Sequence, residues 1–293
     1  MDEINKLILN KFKIDGLEKF AVIIGFNPSK TARSPVLWNA AFKANNLNFS
    51  MIPIDVEKKN LNKVLKILSN SNKFIGGSVT IPYKNDVAFI LGNNLTKEAK
   101  NIGAINCMFK NEKKIVMGTN TDGEASLISF KKNFGEIKNK NILLLGLGGA
   151  GKAVMNYFLR ELADGKMYVS TRNERKYKFY KNYQNINFIK WNEKEKILNE
   201  IDIIINCTSL GFDSNIEKTP FNLDDLRKLK KECIVYDIIY NPKKTKLLKL
   251  SEKLGLKTLN GLQMNLLQAV IAFNYAVKLS NSNITEKTMK GIK

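Results

Sequence analysis

No histidine occurs anywhere in the 293-residue chain, which excludes a histidine-based triad or His-ligated metal and leaves Lys, Asp, Glu, Tyr or Cys for acid–base work. Cysteine is scarce. Cys107, Cys207 and Cys233 are an odd number without CxxC spacing, in apolar or strand-like stretches, which argues against a disulfide framework and a zinc site and fits a reducing compartment. No metal is expected. No apolar run approaches the roughly 18 residues of a membrane span, and the start MDEINKLILNKF lacks the basic head and cleavage site of a signal peptide. A cytoplasmic protein with no membrane association is expected. Acidic residues are few, 27 Asp and Glu against 48 Lys and Arg, giving a formal charge of +21 that would suit a nucleic-acid binder. The lysines are scattered, however, and the densest stretches, 110–114 and 227–231, contain no interleaved aromatics to stack bases. They read as a solvated surface rather than a nucleic-acid interface, one whose field attracts anionic substrates and phosphorylated cofactors.

What is present is a regular alternation. The run FAVIIGF at 20–26 reads as a buried strand, 35–47 as a helix, 48–54 as a strand, 59–68 as an amphipathic helix carrying Leu61, Val64, Leu65 and Leu68 on one face, and 74–81 as a third strand broken by Gly76-Gly77. IVMGTNTD at 115–122 leads into a helix at 123–134 and a basic linker at 138–140. A very apolar strand at 141–145, the turn GLGGAG and a helix to 162 follow, then strands at 167–171, 201–206 and 233–238 and a final helix at 262–279. Alternating strand and helix patterns predict a parallel α/β sheet, and the length suits two domains. The expected architecture is two-domain α/β: residues 1–121 and 263–293 form one domain, and 122–262 form a Rossmann-like domain inserted before a C-terminal helix that returns to the first.

The glycine turn carries the strongest local signal. In Gly146-Leu147-Gly148-Gly149-Ala150-Gly151, glycines follow a strand and precede a helix, so backbone N–H groups can approach a pyrophosphate at the helix N-terminus. A chain selecting NAD usually carries Asp or Glu about 20 residues on, at the end of the second strand. Here the segment is Ser170-Thr171-Arg172-Asn173, with Lys176 close by. A guanidinium pairs with a 2′-phosphate that a carboxylate would repel, so NADP is favoured over NAD, although Arg172 can also be read as one more solvated cation.

Nine segments, in order, resemble the shikimate dehydrogenase family along nearly the whole chain: NPSKTARSP at 27–35, SVTIPYK at 78–84, GAIN at 103–106, NTDG at 120–123, GLGGAG at 146–151, STRN at 170–173, INCTSLGF at 205–212, YDIIYNP at 236–242 and GLQMNLLQA at 261–269. The resemblance implies a substrate domain, an NADP domain and a cleft, with a small cyclic hydroxy acid as substrate. It assigns Lys84 and Asp122 as the catalytic pair. A lysine whose pKa is lowered by burial is a reasonable proton acceptor where histidine is absent, and Asp122 could orient it. Read without the family, Lys84 is a surface lysine after a Pro-Tyr turn and Asp122 is helix-start chemistry, since Thr121 and Glu124 have capping-box spacing.

The resemblance also assigns Asn106 and Gln268 to substrate hydroxyls, and Ser34, Thr80 and Tyr240 to the region of the carboxylate. Amides suit a polyol because each both donates and accepts, while the alternative for Gln268 is a solvent-facing helix residue. Gly146, Gly148, Gly149, Ala150, Gly151, Thr171, Arg172, Lys176, Asn206, Thr208 and Gly261 are the cofactor groups, with Asn206, Thr208 and Gly211 in the loop beside the nicotinamide, where Ser and Thr could equally be turn formers. The family usually reads HSxSP where this chain has Thr31-Ala32-Arg33-Ser34-Pro35, and Phe212 stands where Met is frequent. The implied reaction is reversible NADP-linked interconversion of shikimate and 3-dehydroshikimate, in a monomer or homodimer. Alternatives are a quinate or amino-shikimate-type dehydrogenase, or, in a different class, a non-catalytic nucleotide sensor or nucleic-acid binder.

Overall fold

The computed structural model describes residues 2–175, 177, 185–278 and 283–292. Their contacts divide the chain into two compact units, Met1–Thr121 with Leu266–Lys293, and Asp122–Asn265. The second unit runs past residue 262 because the first turn of helix Leu262–Val277 is tied into it. The Gln263 side chain accepts hydrogen bonds from Asn133 Nδ2 at 2.7 Å and Ser129 Oγ at 3.3 Å.

The first unit is built on strands β1 (Lys19–Gly25), β2 (Phe49–Asp55), β3 (Phe74–Val79), β4 (Cys107–Lys110) and β5 (Val116–Thr119), in the order β2-β1-β3-β4-β5. β1 is parallel to both its neighbours and, after the exposed Lys19, apolar and buried because both faces are covered. Phe20, Val22 and Ile24 pack on one side with Leu61, Val64, Leu65 and Leu68 of helix Leu61–Asn70, the stripe read from the sequence. Ala21 and Ile23 pack on the other with Trp38 and Phe42 of helix Ser34–Ala44, Phe273 of helix Leu262–Val277 and Met289 of helix Asn283–Gly291. Trp38 and Phe273 meet edge to face with centroids 5.2 Å apart.

Two features depart from the sequence expectation. β4 pairs antiparallel with both β3 and β5, the pairing with β5 because the turn joining the two strands closes locally. Asn111 accepts from the Ile115 and Lys114 N–H groups, and so short a connection permits only an antiparallel return. A last helix, Asn283–Gly291, follows the expected C-terminal one and packs on Ser34–Ala44.

The second unit holds β6 (Ile142–Leu145), β7 (Met167–Ser170), β8 (Ile186–Ile189), β9 (Ile203–Asn206), β10 (Ile234–Asp237) and β11 (Lys257–Leu259). All pairings are parallel, in the order β11-β10-β9-β6-β7-β8. Counted from the centre this is the doubly wound arrangement of two mononucleotide-binding halves, with its switch point where β6 and β9 lie side by side. Leu143, Leu145, Ile204 and Val235 pack under Leu226, Leu247, Leu248 and Leu256 on one face. Among the described residues no helix is long and apolar enough to cross a membrane.

Candidate active site

In the first unit the candidate substrate groups gather at the C-terminal ends of β1 and β3. Thr80 follows β3, its N–H donating to Ile24 O at 2.9 Å while its carbonyl accepts from Tyr83 N at 3.0 Å. Lys84 opens helix Lys84–Leu91 and is half-buried, at the helix end where a cation is least stabilised by the backbone dipoles. Its carbonyl accepts from Ile105 N at 2.9 Å, tying the lysine turn to the strand that begins beyond Asn106. Ser34 is the buried first residue of its helix.

Asn106 and Gln268, far apart in sequence, are brought together. Asn106 is buried, and its Oδ1 accepts from Thr121 N at 2.8 Å. Its Nδ2 donates to Thr121 Oγ1 at 2.9 Å and to Gln268 Oε1 at 3.2 Å, and Thr121 Oγ1 donates to Gln268 O at 3.1 Å. Because Oε1 accepts from Asn106, the Gln268 amide turns its N–H groups the other way, which fixes what it can offer a hydroxyl. Gln268 is therefore a half-buried member of a polar network rather than a solvent-facing helix residue. Thr121, absent from the sequence-based set, is the hinge of that network. Asp122 is the next residue in the chain, the buried start of helix Asp122–Phe134.

The region that departs from the family pattern has its own explanation. Ala32 packs against the apolar cluster of Trp38, Phe42 and Phe273, and Thr31 Oγ1 donates to Asn27 O at 3.0 Å. A hydroxyl has a single proton, so Thr31 in this conformation has no donor left for a carboxylate.

The second unit carries the cofactor set. Gly146 follows β6 with φ +93°, a conformation that side chains with a Cβ rarely adopt. Helix Gly149–Glu161 begins at Gly148, Gly149 and Ala150, and no side chain caps it. A Cβ on Gly151 would lie 2.1 Å from Gly146 O, so glycine at 151 is required by the turn itself. A Cβ on Gly148 would meet nothing within 4 Å. The protein's own packing thus makes no demand for glycine at 148, and the open space lies at an uncapped helix N-terminus, where phosphate oxygens bind. The residues present fit a dinucleotide pyrophosphate.

Buried Thr171 follows β7, and exposed Arg172 and Arg175 follow in the same loop. Lys176 lies outside the described residues. Arg175, beside Lys176 in the sequence, was not singled out from sequence and adds a second described cation to this loop. Asn206 ends β9, beside β6, and its Oδ1 accepts from Thr208 N at 3.1 Å and Thr208 Oγ1 at 2.7 Å. Gly261 N donates to Ile239 O at 3.0 Å, and a Cβ there would lie 1.9 Å from Ile238 O, so close backbone approach accounts for that glycine. Half-buried Tyr240 follows β10.

A doubly wound dinucleotide-binding unit joined to an α/β unit with clustered hydroxyl and amide groups defines the class of two-domain nicotinamide-dependent oxidoreductases. Residues 23–108 match the model of the shikimate dehydrogenase substrate binding domain, and residues 129–238 that of shikimate / quinate 5-dehydrogenase. The NADP(+)-named shikimate dehydrogenase of Carboxydothermus hydrogenoformans is 36% identical over 266 residues, 89% of this chain and 92% of the relative. A solved shikimate dehydrogenase in complex with NADP+ superposes with a TM-score of 0.81 at 30% identity, covering 93% of this chain and 94% of that one. The Aquifex aeolicus shikimate dehydrogenase gives 0.80 at 31%, covering 95% of this chain and 100% of that one. The chain belongs to the shikimate dehydrogenase family.

Proposed function

We propose that the protein is an NADP-dependent shikimate dehydrogenase, interconverting shikimate and 3-dehydroshikimate in the cytoplasm on the route to chorismate and the aromatic amino acids, as a monomer or homodimer. The observation that carries this reading is the Asn106–Gln268 pair, two amides of fixed orientation suited to adjacent ring hydroxyls. In the oxidative direction, NADP+ when bound supplies the hydride acceptor. Lys84 takes the proton of the reacting hydroxyl, and Asp122 is the acidic partner that orients that hydroxyl. Asn106 and Gln268 orient the ring, and Ser34, Thr80 and Tyr240 hold the carboxylate end. Gly146, Gly148, Gly149, Ala150 and Gly151 receive the pyrophosphate, Thr171, Arg172 and Lys176 the 2′-phosphate side, and Asn206, Thr208 and Gly261 line the nicotinamide side. This chemistry leaves no role for nucleic acid.

A second ring substrate of the same class, quinate or an amino-substituted analogue, is favoured by one observation. Ala32 gives its side chain to the apolar cluster, and Thr31 spends its proton on Asn27, so the carboxylate end has fewer donors. The test is NADPH or NADH formation from NADP+ or NAD+ with shikimate, quinate and related cyclic acids. Shikimate with NADP+ is expected to give the highest kcat/KM, and a higher value for another ring would replace shikimate as substrate. Lys84→Ala is expected to lower kcat by about 10²- to 10⁴-fold with little change in NADP+ affinity, because its part is proton transfer. Retention of near wild-type kcat would remove Lys84 from the reaction.

A further inference from the structure

Asp237 lies at the end of β10, is fully buried, and has no part in the reaction just described. Three donors converge on its carboxylate. Asn206 Nδ2 and Ile239 N each donate to Oδ1 at 3.1 Å, and Thr245 Oγ1 donates to Oδ2 at 2.7 Å. Among the described residues no cation pairs with it. Burying an unpaired carboxylate is costly, so its presence calls for a reason that a neutral residue could not meet. Asparagine would present one oxygen and one NH2 to three donors, leaving at least one donor facing another.

The groups it binds give the reason. Asn206 is held by Asp237 through its NH2, which also donates to Leu210 O at 3.3 Å. Its Oδ1 is thereby turned towards Thr208, whose N–H and hydroxyl it accepts, and Thr208 Oγ1 accepts in turn from Leu210 N at 3.1 Å. Thr245 caps helix Lys246–Lys253 through Leu248 N, and a Cβ on Gly211, at φ +103°, would lie 3.1 Å from its own Cβ. One buried carboxylate thus ties together the loop after β9, the loop after β10 and the start of a helix. All lie at the C-terminal ends of the strands in the β9–β10–β11 half, the mononucleotide half opposite the one carrying Arg172. Burial pushes the Asp237 carboxyl up to about 6 while the three donors hold it down, so it remains ionised, an acceptor at both oxygens, at neutral pH.

We infer that Asp237 is a positioning residue for the nicotinamide half of the cofactor, acting through the Asn206 amide to fix the 207–212 loop. The inference rests on the reading that the second unit binds NADP. It separates the two ends of the cofactor, which a general loss of structure would not do. The experiment is calorimetric titration of wild type, Asp237→Asn and Thr245→Val with NADP+ and with adenosine 2′,5′-bisphosphate, which lacks the nicotinamide half. Asp237→Asn is expected to weaken NADP+ binding roughly tenfold or more, the worth of a hydrogen bond to a charged group. Bisphosphate binding should stay within about twofold on the same ground, since no bond to that half is touched. Thr245→Val, isosteric and less disruptive, should shift NADP+ alone by a smaller factor. Equal weakening of both ligands, or of neither, would overturn the inference. Failure of the wild type to bind NADP+ would overturn the reading of the second unit and this inference with it.

Discussion

Ala32 shows how one methyl group bears on substrate choice. A hydroxyl donated to a substrate carboxylate is worth about 1.5–3 kcal/mol, or roughly tenfold to hundredfold in binding. Ala32 cannot supply it, and Thr31 is turned to Asn27. If shikimate is the substrate, Ala32→Ser should lower its KM with little effect on kcat, because a contact remote from the reacting carbon is similar in ground and transition states. Steady-state kinetics on both proteins check this, and an unchanged or higher KM would mean the loop serves a different ring. Asp237 gives a second expectation, in stability. Its carboxyl is raised from 3.8 to about 6, so between those values the fold binds more protons than the unfolded chain. Its contribution is fully present below about pH 4 and is lost as pH rises through 6, on the order of 3 kcal/mol in all. The stability of wild type minus that of Asp237→Asn should therefore fall from pH 4 to pH 7 in denaturant titrations. A pH-independent difference would show that Asp237 does not titrate in this range.

At the scale of elements, Gly148 and Gly151 of the turn can be told apart. Gly151→Ala drives a methyl into Gly146 O and should lower Tm and reduce soluble yield, whereas Gly148→Ala meets no protein atom. The second variant should keep its Tm within a few degrees yet bind NADP+ roughly tenfold or more weakly, because the methyl occupies space needed by phosphate. Similar Tm losses in both would mean the space at 148 is not a phosphate site. Paired thermal melts and NADP+ titrations decide it. These elements were legible because the apolar period is strong where strands are buried on both faces, as in FAVIIG and ILLL, and because the four leucine and valine positions of Leu61–Asn70 share one face. The β4–β5 hairpin was not, since CMFK and VMGT are four-residue strands whose direction is set by the 111–115 turn. The family resemblance named Asn106 and Gln268 but not their bond, which depends on residues far apart in the chain meeting in the fold. Asp237 was overlooked within YDIIYNP, although a carboxylate inside the apolar run IVYDII was itself a sign of a buried polar network.

Across the whole molecule, the charge of +21 acts with Arg172 on the same cofactor, and the two can be separated by salt. A diffuse basic field attracts any anion, is screened beyond about 10 Å at 0.1 M ionic strength, and raises association rates rather than selecting a partner. It should therefore favour NADP+ and NAD+ both, with the more highly charged NADP+ gaining more. Arg172, exposed at the end of β7, offers a directional fork that matches the 2′-phosphate and finds nothing to bind on NAD+. Raising the ionic strength from 0.05 to 0.5 M should raise KM for NADP+ several-fold and for NAD+ less, a shift expected of screened charges. Arg172→Ala should raise KM for NADP+ roughly tenfold or more while leaving NAD+ nearly unchanged, the loss of a charge-assisted bond. Its residual salt dependence should persist, because the other 47 of the 48 cationic side chains remain. Equal effects of Arg172→Ala on both cofactors would leave the bulk field as the source of any NADP preference, and loss of all salt dependence in that variant would assign the attraction to Arg172 alone.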